Sequence, residues 1–190
     1  MNLPSEENRE PRLDMTNIRR LDATWSLTDE EAELLFTLAK EARENIVEIG
    51  AFKGRSTCIL ALGAEAGNKP TIHTVDIFQF SEQQDVERNL ELAGIKYPVH
   101  ILKMSSLDAA KFYEGKDLGL LFIDADHSYE AVKQDFLAWE KHIPVGGVVL
   151  FHDYNNSGWP GVKLAVDEIV SQGGWMPIQT KGWLAFTWRI

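Results

Sequence analysis

Two short stretches place carboxylates and imidazoles directly after apolar runs, where burial without use would be costly. In Phe122-Ile-Asp-Ala-Asp-His-Ser-Tyr129, the residues Asp124, Asp126 and His127 follow an apolar run from Leu118. In Phe151-His-Asp-Tyr154, the residues His152 and Asp153 follow a run from Val148. If the two runs are neighbouring parallel strands, their tips lie about 5 Å apart, and Asp124 and Asp153 can ligate one divalent ion. A third stretch, Ile46-Val-Glu-Ile-Gly-Ala-Phe-Lys-Gly-Arg-Ser-Thr57, joins a strand pattern to two glycines and a helical run from Ser56. Gly50 and Gly54 can take backbone angles closed to other residues and let a ligand come against the main chain, while the first N–H groups of the helix face it. Asp76 ends the strand pattern Thr71-Ile-His-Thr-Val-Asp76. Lying about 20 residues beyond the turn, it can accept from both hydroxyls of a ribose.

These groups need a scaffold that lines up strand ends. Residues 1–27 mix Pro, Glu, Asn and Arg without a sustained period and read as a tail with a short helical piece, leaving 28–190 as one domain. Thr28-Asp-Glu-Glu31 makes a capping box ahead of an apolar stripe through Ala42. Strands are expected at Ile46–Ile49, Thr71–Asp76, Val99–Lys103, Leu118–Asp124 and Val148–Phe151, with helices between them, one of which is capped by Ser81–Gln84 and one opened by Ser105. After a helix over Val162–Gln172, the segments Met176–Thr180 and Leu184–Arg189 flank Lys181-Gly182 and predict an antiparallel hairpin. Five alternating units mean a parallel sheet covered on both faces, with ligands at the carboxyl ends of the strands.

Composition narrows the partners. The chain has 190 residues, 44% hydrophobic and 25% charged, within the range of one globular domain. Its formal net charge of -10 disfavours a nucleic-acid backbone, with Arg12, Arg19 and Arg20 the only hint of a basic patch, and favours a small molecule. No run is long enough to span a membrane, and the first residues lack signal-peptide character, so a cytoplasmic location is expected. The single cysteine, Cys58, excludes an internal disulfide.

The pattern Glu48-x-Gly50-x-x-x-Gly54, with its preceding acid, resembles motif I of the Rossmann-like (class I) S-adenosylmethionine-dependent methyltransferases. The two acidic strand ends resemble those of the metal-dependent O-methyltransferases of the catechol, caffeoyl-coenzyme A and sugar types. The resemblance implies a three-layer α/β/α sandwich with a mostly parallel seven-stranded sheet and a C-terminal antiparallel hairpin. It implies S-adenosylmethionine as cofactor, held by Glu48, Gly50, Gly54, Ser56, Asp76, Ser106 and Asp124. It implies a divalent ion, Mg2+ or another, held by Asp124, His152 and Asp153, and a base at His127, with Asp126 as the alternative. Tyr154 departs from the Asn of catechol-type enzymes and His152 from the acid of sugar-type ones; because imidazole suits manganese, iron or zinc, the ion stays open. The expected acceptor is a small hydroxylated molecule. The short chain leaves little to cover it beyond Asn155–Gly161 with Trp159, and Trp25, so a homodimer is expected to complete the site. Two competing readings are a nicotinamide oxidoreductase, which the missing third glycine of Gly-x-Gly-x-x-Gly argues against, and a non-catalytic nucleoside-binding protein.

Overall fold

Apolar runs that alternate with helices bury both faces of a sheet when they pair in parallel. A computed structural model, which describes residues 13–21, 27–114 and 117–190, has this arrangement. The readings placed on residues 1–12 and on Trp25 fall outside the described residues. Strands β1 (Asn45–Ile49), β2 (Ile72–Asp76), β3 (Val99–Lys103), β4 (Leu118–Ile123) and β5 (Val148–Phe151) are parallel; β6 (Gln179–Lys181) and β7 (Leu184–Trp188) close the sheet antiparallel. The order is β3-β2-β1-β4-β5-β7-β6, so the connections reverse direction between β1 and β4, the switch point outside whose strand tips open α/β sheets bind ligands.

Strand alternation divides the interior into two layers. Ile46, Ile72, Leu120, Phe122 and Leu150 pack with α2 (Asp29–Glu41), α3 (Arg55–Ala66) and the single-turn α1 (Met15–Ile18). Val47, Val75, Leu121, Ile123 and Phe151 pack on the other side with α5 (Ser106–Phe112), α6 (Tyr129–Trp139) and α7 (Pro160–Ser171). The mostly parallel seven-stranded sheet with its C-terminal antiparallel pair is therefore observed as expected.

Three local expectations shift. Helix α4 (Gln83–Leu92) is capped one residue late: Glu82 and Asp85 form the reciprocal box, while the Ser81 hydroxyl donates to the Phe52 carbonyl (2.7 Å). Strand β6 is shorter than Met176–Thr180 and shifted to include Lys181, while Met176 N–H pairs with Trp188 O at 2.8 Å outside the ladder. The third concerns why the turn has glycines. Gly50 has φ +95, and a Cβ there would lie 2.0 Å from the Asp124 carbonyl oxygen; Gly54 has φ +84, and a Cβ would lie 2.8 Å from a Val86 methyl. Protein packing against the turn, before any ligand, demands both residues.

Glu31 ties the start of α2 to the far end of the sheet. Its carboxylate, only 1% exposed, completes the capping box by accepting from Thr28 N–H (2.7 Å) and also accepts from Trp183 N–H (2.5 Å) in the β6–β7 turn.

Gly50→Ala should cost more than about 3 kcal/mol or prevent folding, since strain and a backbone clash combine. Gly94→Ala, also at positive φ (+70) but with nothing within 4 Å of its Cβ, should cost about 1 kcal/mol. Denaturant titration of both variants checks the contrast; equal losses would refute it.

Candidate functional site

Backbone bonds carry the sheet one residue past each strand and so align the tips. Gly50 N–H donates to Val75 O (2.9 Å), Asp124 N–H to Ile49 O (2.8 Å) and His152 N–H to Ile123 O (3.0 Å). Since Ile123 pairs with Phe151, Asp124 and His152 become neighbours facing the same side. The next residue would normally point the opposite way. Asp153 instead has φ +59, a left-handed conformation uncommon for a non-glycine residue, and its carboxylate turns back into the same cluster. His152 Nδ1 lies 3.3 Å from Asp124 Oδ1 and 3.2 Å from Asp153 Oδ2. One ligating atom from each of Asp124, His152 and Asp153 lies within 4.8 Å of the others.

His127 enters from the loop before α6. Its Nε2 is 3.0 Å from Asp153 Oδ2 and 3.7 Å from Asp124 Oδ1, and its ring stacks on Trp159 with centroids 4.7 Å apart. The start of α7 holds this loop: a Cβ on Gly161 would lie 2.6 Å from Tyr129 N and 2.9 Å from His127 O. Asn156 was not singled out in the sequence, yet its amide donates to Asp153 Oδ1 (2.6 Å). Its only sequence signal is its place three residues after Asp153, which Asn155 nearly shares. Tyr154 turns away, its hydroxyl donating to Asp167 (2.6 Å) and accepting from Lys163.

Charge within the cluster is balanced by proton sharing. Contacts with Asp124 and then Asp153 raise the His127 pKa to about 9, against partial burial. Burial works against protonation of His152, but the charge of Asp124 and contacts with both carboxylates carry it to about 10. Burial opposes ionisation of Asp153, yet His127, His152 and Asn156 hold its pKa well below the carboxylate range; Asp124 is lowered in the same way, against burial, chiefly by the charge of His152.

The second grouping lies across β1. Asp76, at the tip of β2, accepts Phe52 N–H on Oδ2 (2.8 Å) and Phe78 N–H on Oδ1 (2.6 Å). Phe52 and Phe78 both have positive φ, 48 and 55, so strained backbone fixes the carboxylate with one lone pair on each oxygen still available. Ser56 lies in the first turn of α3, beside this turn.

Three expected residues are engaged elsewhere. Glu48 is fully buried under α3; its Oε2 accepts from Thr57 and Thr74 hydroxyls (2.5 Å each), and burial raises its pKa to about 7 against bonds from Ser56, Thr57 and Thr74. The Ser106 hydroxyl accepts from the Trp139 indole (3.0 Å). Asp126 is exposed, and its carboxylate accepts from Ser128 N–H (2.7 Å), a bond that lowers its pKa and makes it a weaker base than His127.

A parallel sheet with a reversed last strand, glycines at the first turn and an acid on the second strand define the class I methyltransferase fold. Solved structures have the same arrangement. A cofactor-bound protein from MTB superposes with TM-score 0.74 at 21% identity, covering 92% of this chain and 87% of its own. The O-methyltransferase NovP gives 0.73 at 18%, over 84% and 79%. The O-methyltransferase TomG from Streptomyces achromogenes, in complex with S-adenosylmethionine, gives 0.71 at 20%, over 94% and 91%. At these identities the likeness concerns the fold. Sequence carries the family: residues 47–154, more than half of the chain, match the model described as a methyltransferase domain, and the chain belongs to that family. It is also 32% identical over 135 residues to an uncharacterized protein of Acanthamoeba polyphaga mimivirus, covering 66% of this chain and 58% of the relative, so it spans less than two thirds of that relative's length. No helix among the described residues is long and apolar enough to cross a membrane.

The shifted groups fix a pH dependence for the ion-free protein. The raised imidazoles stabilise the fold fully below their ordinary 6.5, and this is lost as pH rises through about 9 and 10. Glu48, raised from 4.5, acts in the same direction, its contribution disappearing through about 7. Asp124 and Asp153, lowered from 3.8, contribute above that value and lose it as pH falls. In EDTA the melting temperature should therefore fall steadily from about pH 6 to pH 10, and a flat or rising profile would contradict the cluster's geometry.

Proposed function

We propose that the protein transfers the methyl group of S-adenosylmethionine to a hydroxyl of a small molecule, with a divalent cation at Asp124, His152 and Asp153. The observation that carries this reading is the convergence of those three side chains, with His127 beside them, at the mouth of the crevice next to the Gly50–Gly54 turn.

The donor set fits a cation. Two carboxylates held ionised and an imidazole whose Nδ1 faces both of them offer three ligating atoms, and the mixed set suits manganese, iron or zinc as well as magnesium. Such an ion lowers the pKa of a hydroxyl bound to it. The chain's own residues do the rest. Asp76, fixed by two backbone N–H groups, takes the ribose hydroxyls of the cofactor, and the Gly50–Gly54 turn with Ser56 takes its amino-acid tail. Glu48 holds the turn from beneath through Thr57 and Thr74. His127 accepts the hydroxyl's proton on Nε2 once the charge of Asp124 and Asp153 is shared with a cation, because those two carboxylates are what raise its pKa. Trp159, stacked on His127, keeps water from one side of the imidazole. The net charge of -10 favours a small acceptor over nucleic acid.

Isothermal titration with S-adenosylmethionine should show micromolar binding that Asp76→Ala weakens at least tenfold. Titration with Mn2+ should show binding that Asp124→Asn abolishes and that tightens as pH rises from 6 to 9, since a ligating imidazole must shed its proton. Methyl transfer to a panel of hydroxylated acceptors should fall at least a hundredfold in His127→Gln with cofactor binding unchanged. Absence of S-adenosylmethionine binding under all these conditions would overturn the reading.

A further inference from the structure

The sheet ends at β3 on one side, and the outer edge of that strand pairs with no other strand among the described residues. Met104 N–H donates to Asp76 O (3.1 Å), so alternation along the strand turns the N–H and C=O groups of Val99, Ile101 and Lys103 outward. Natural edges are blunted by short length, lysine, proline, bulges or inward charges, and β3 has only its five-residue length and the terminal Lys103. Val99–Lys103 has no proline, and its pairing with β2 runs in unbroken register.

Grooves flank the edge on both faces. On the α4 side a groove of about 590 Å³ is floored by Leu90, Val99 and Ile101 and walled by Glu87 and Glu91. On the α5 side a smaller one of about 240 Å³ is lined by Leu102, Met104 and Phe112, the last 75% exposed.

We propose that the free edge of β3 is a docking site for an extended segment of another protein that carries lysine or arginine at alternate positions and adds as an eighth strand. A segment paired to β3 sends successive side chains to opposite faces. Those on one face meet Glu87 and Glu91; those on the other lie over Leu102 and Phe112 and favour apolar types. Neither glutamate has a cationic partner among the described residues, and Glu87 accepts only from the Gln83 amide (2.8 Å). Of the nearby cations, Arg88 pairs with Asp85 (2.6 Å), Lys103 lies over the Phe78 ring at 5.9 Å, and Lys96 beside Ile95 is exposed. Charge also decides against a second copy of this chain. Two β3 edges paired about a two-fold axis would set α4 against α4 and bring Glu87 and Glu91 of both copies together.

The test uses the full chain and two seven-residue peptides, one alternating lysine with valine and one alternating glutamate with valine, at low salt. The lysine peptide should bind at least tenfold more tightly than the glutamate peptide and slow amide exchange at Ile101 and Lys103. The double variant Glu87→Lys, Glu91→Lys should invert that preference while its melting temperature stays unchanged, as expected for exposed helix positions. Equal affinity for the two peptides would overturn the proposal, as would binding that leaves Ile101 and Lys103 unprotected. A dimer seen by sedimentation whose formation protects these same amides would overturn it in favour of self-pairing. The readout is independent of methyl transfer, so it stands or falls apart from the catalytic reading.

Discussion

No side chain fits between the first turn and the tip of β4. The Asp124 carbonyl passes so close to Gly50 that a single added carbon would lie 2.0 Å from it. That approach brings the two central strand ends into one plane and lets Asp124 N–H reach Ile49 O. With β4 fixed, the bond from His152 N–H to Ile123 O sets β5 in register, and the side chains of Asp124 and His152 arrive side by side. A glycine at the first turn is thus a condition for the cluster at the tips of β4 and β5, and the turn and the cluster cannot be varied independently.

Much of this was legible in the chain because period and punctuation agree across levels. Apolar alternation at Ile46–Ile49 and the nearly continuous run Leu118–Ile123 named the central strands, and acids at their ends named the crevice. What the sequence hides is direction. Nothing in Phe151-His-Asp-Tyr distinguishes an aspartate that alternates to the far face from one that turns back, and the left-handed backbone of Asp153 decides it. Asn156 was invisible for the same reason, since a loop residue three positions from a tryptophan declares no orientation. Glu48 shows the opposite failure. Its position just before the turn suggested a side chain reaching the cleft, but strand parity aims it under α3, where two threonines meet it.

The buried charges share a design. Burial pushes Glu48 toward the neutral form, while the cluster at β4 and β5 pairs two carboxylates with two imidazoles and leaves the buried His152 Nε2 without a partner among the described residues. A neutral carboxyl can stay under the turn at low cost. The cluster at β4 and β5 instead keeps its carboxylates ionised by holding protons on the two imidazoles beside them.

The contact between Glu31 and Trp183 has a consequence for how the molecule is made. The two residues are 152 positions apart, and the carboxylate between them serves both the first turn of α2 and the β6–β7 turn. On the ribosome, β1 to β5 can pair in the order they emerge, but Glu31 stays buried-competent and half-satisfied until the last hairpin is released. At synthesis rates of about 5–20 residues per second, the seam between α2 and the β6–β7 turn stays open for on the order of ten seconds after Glu31 is made.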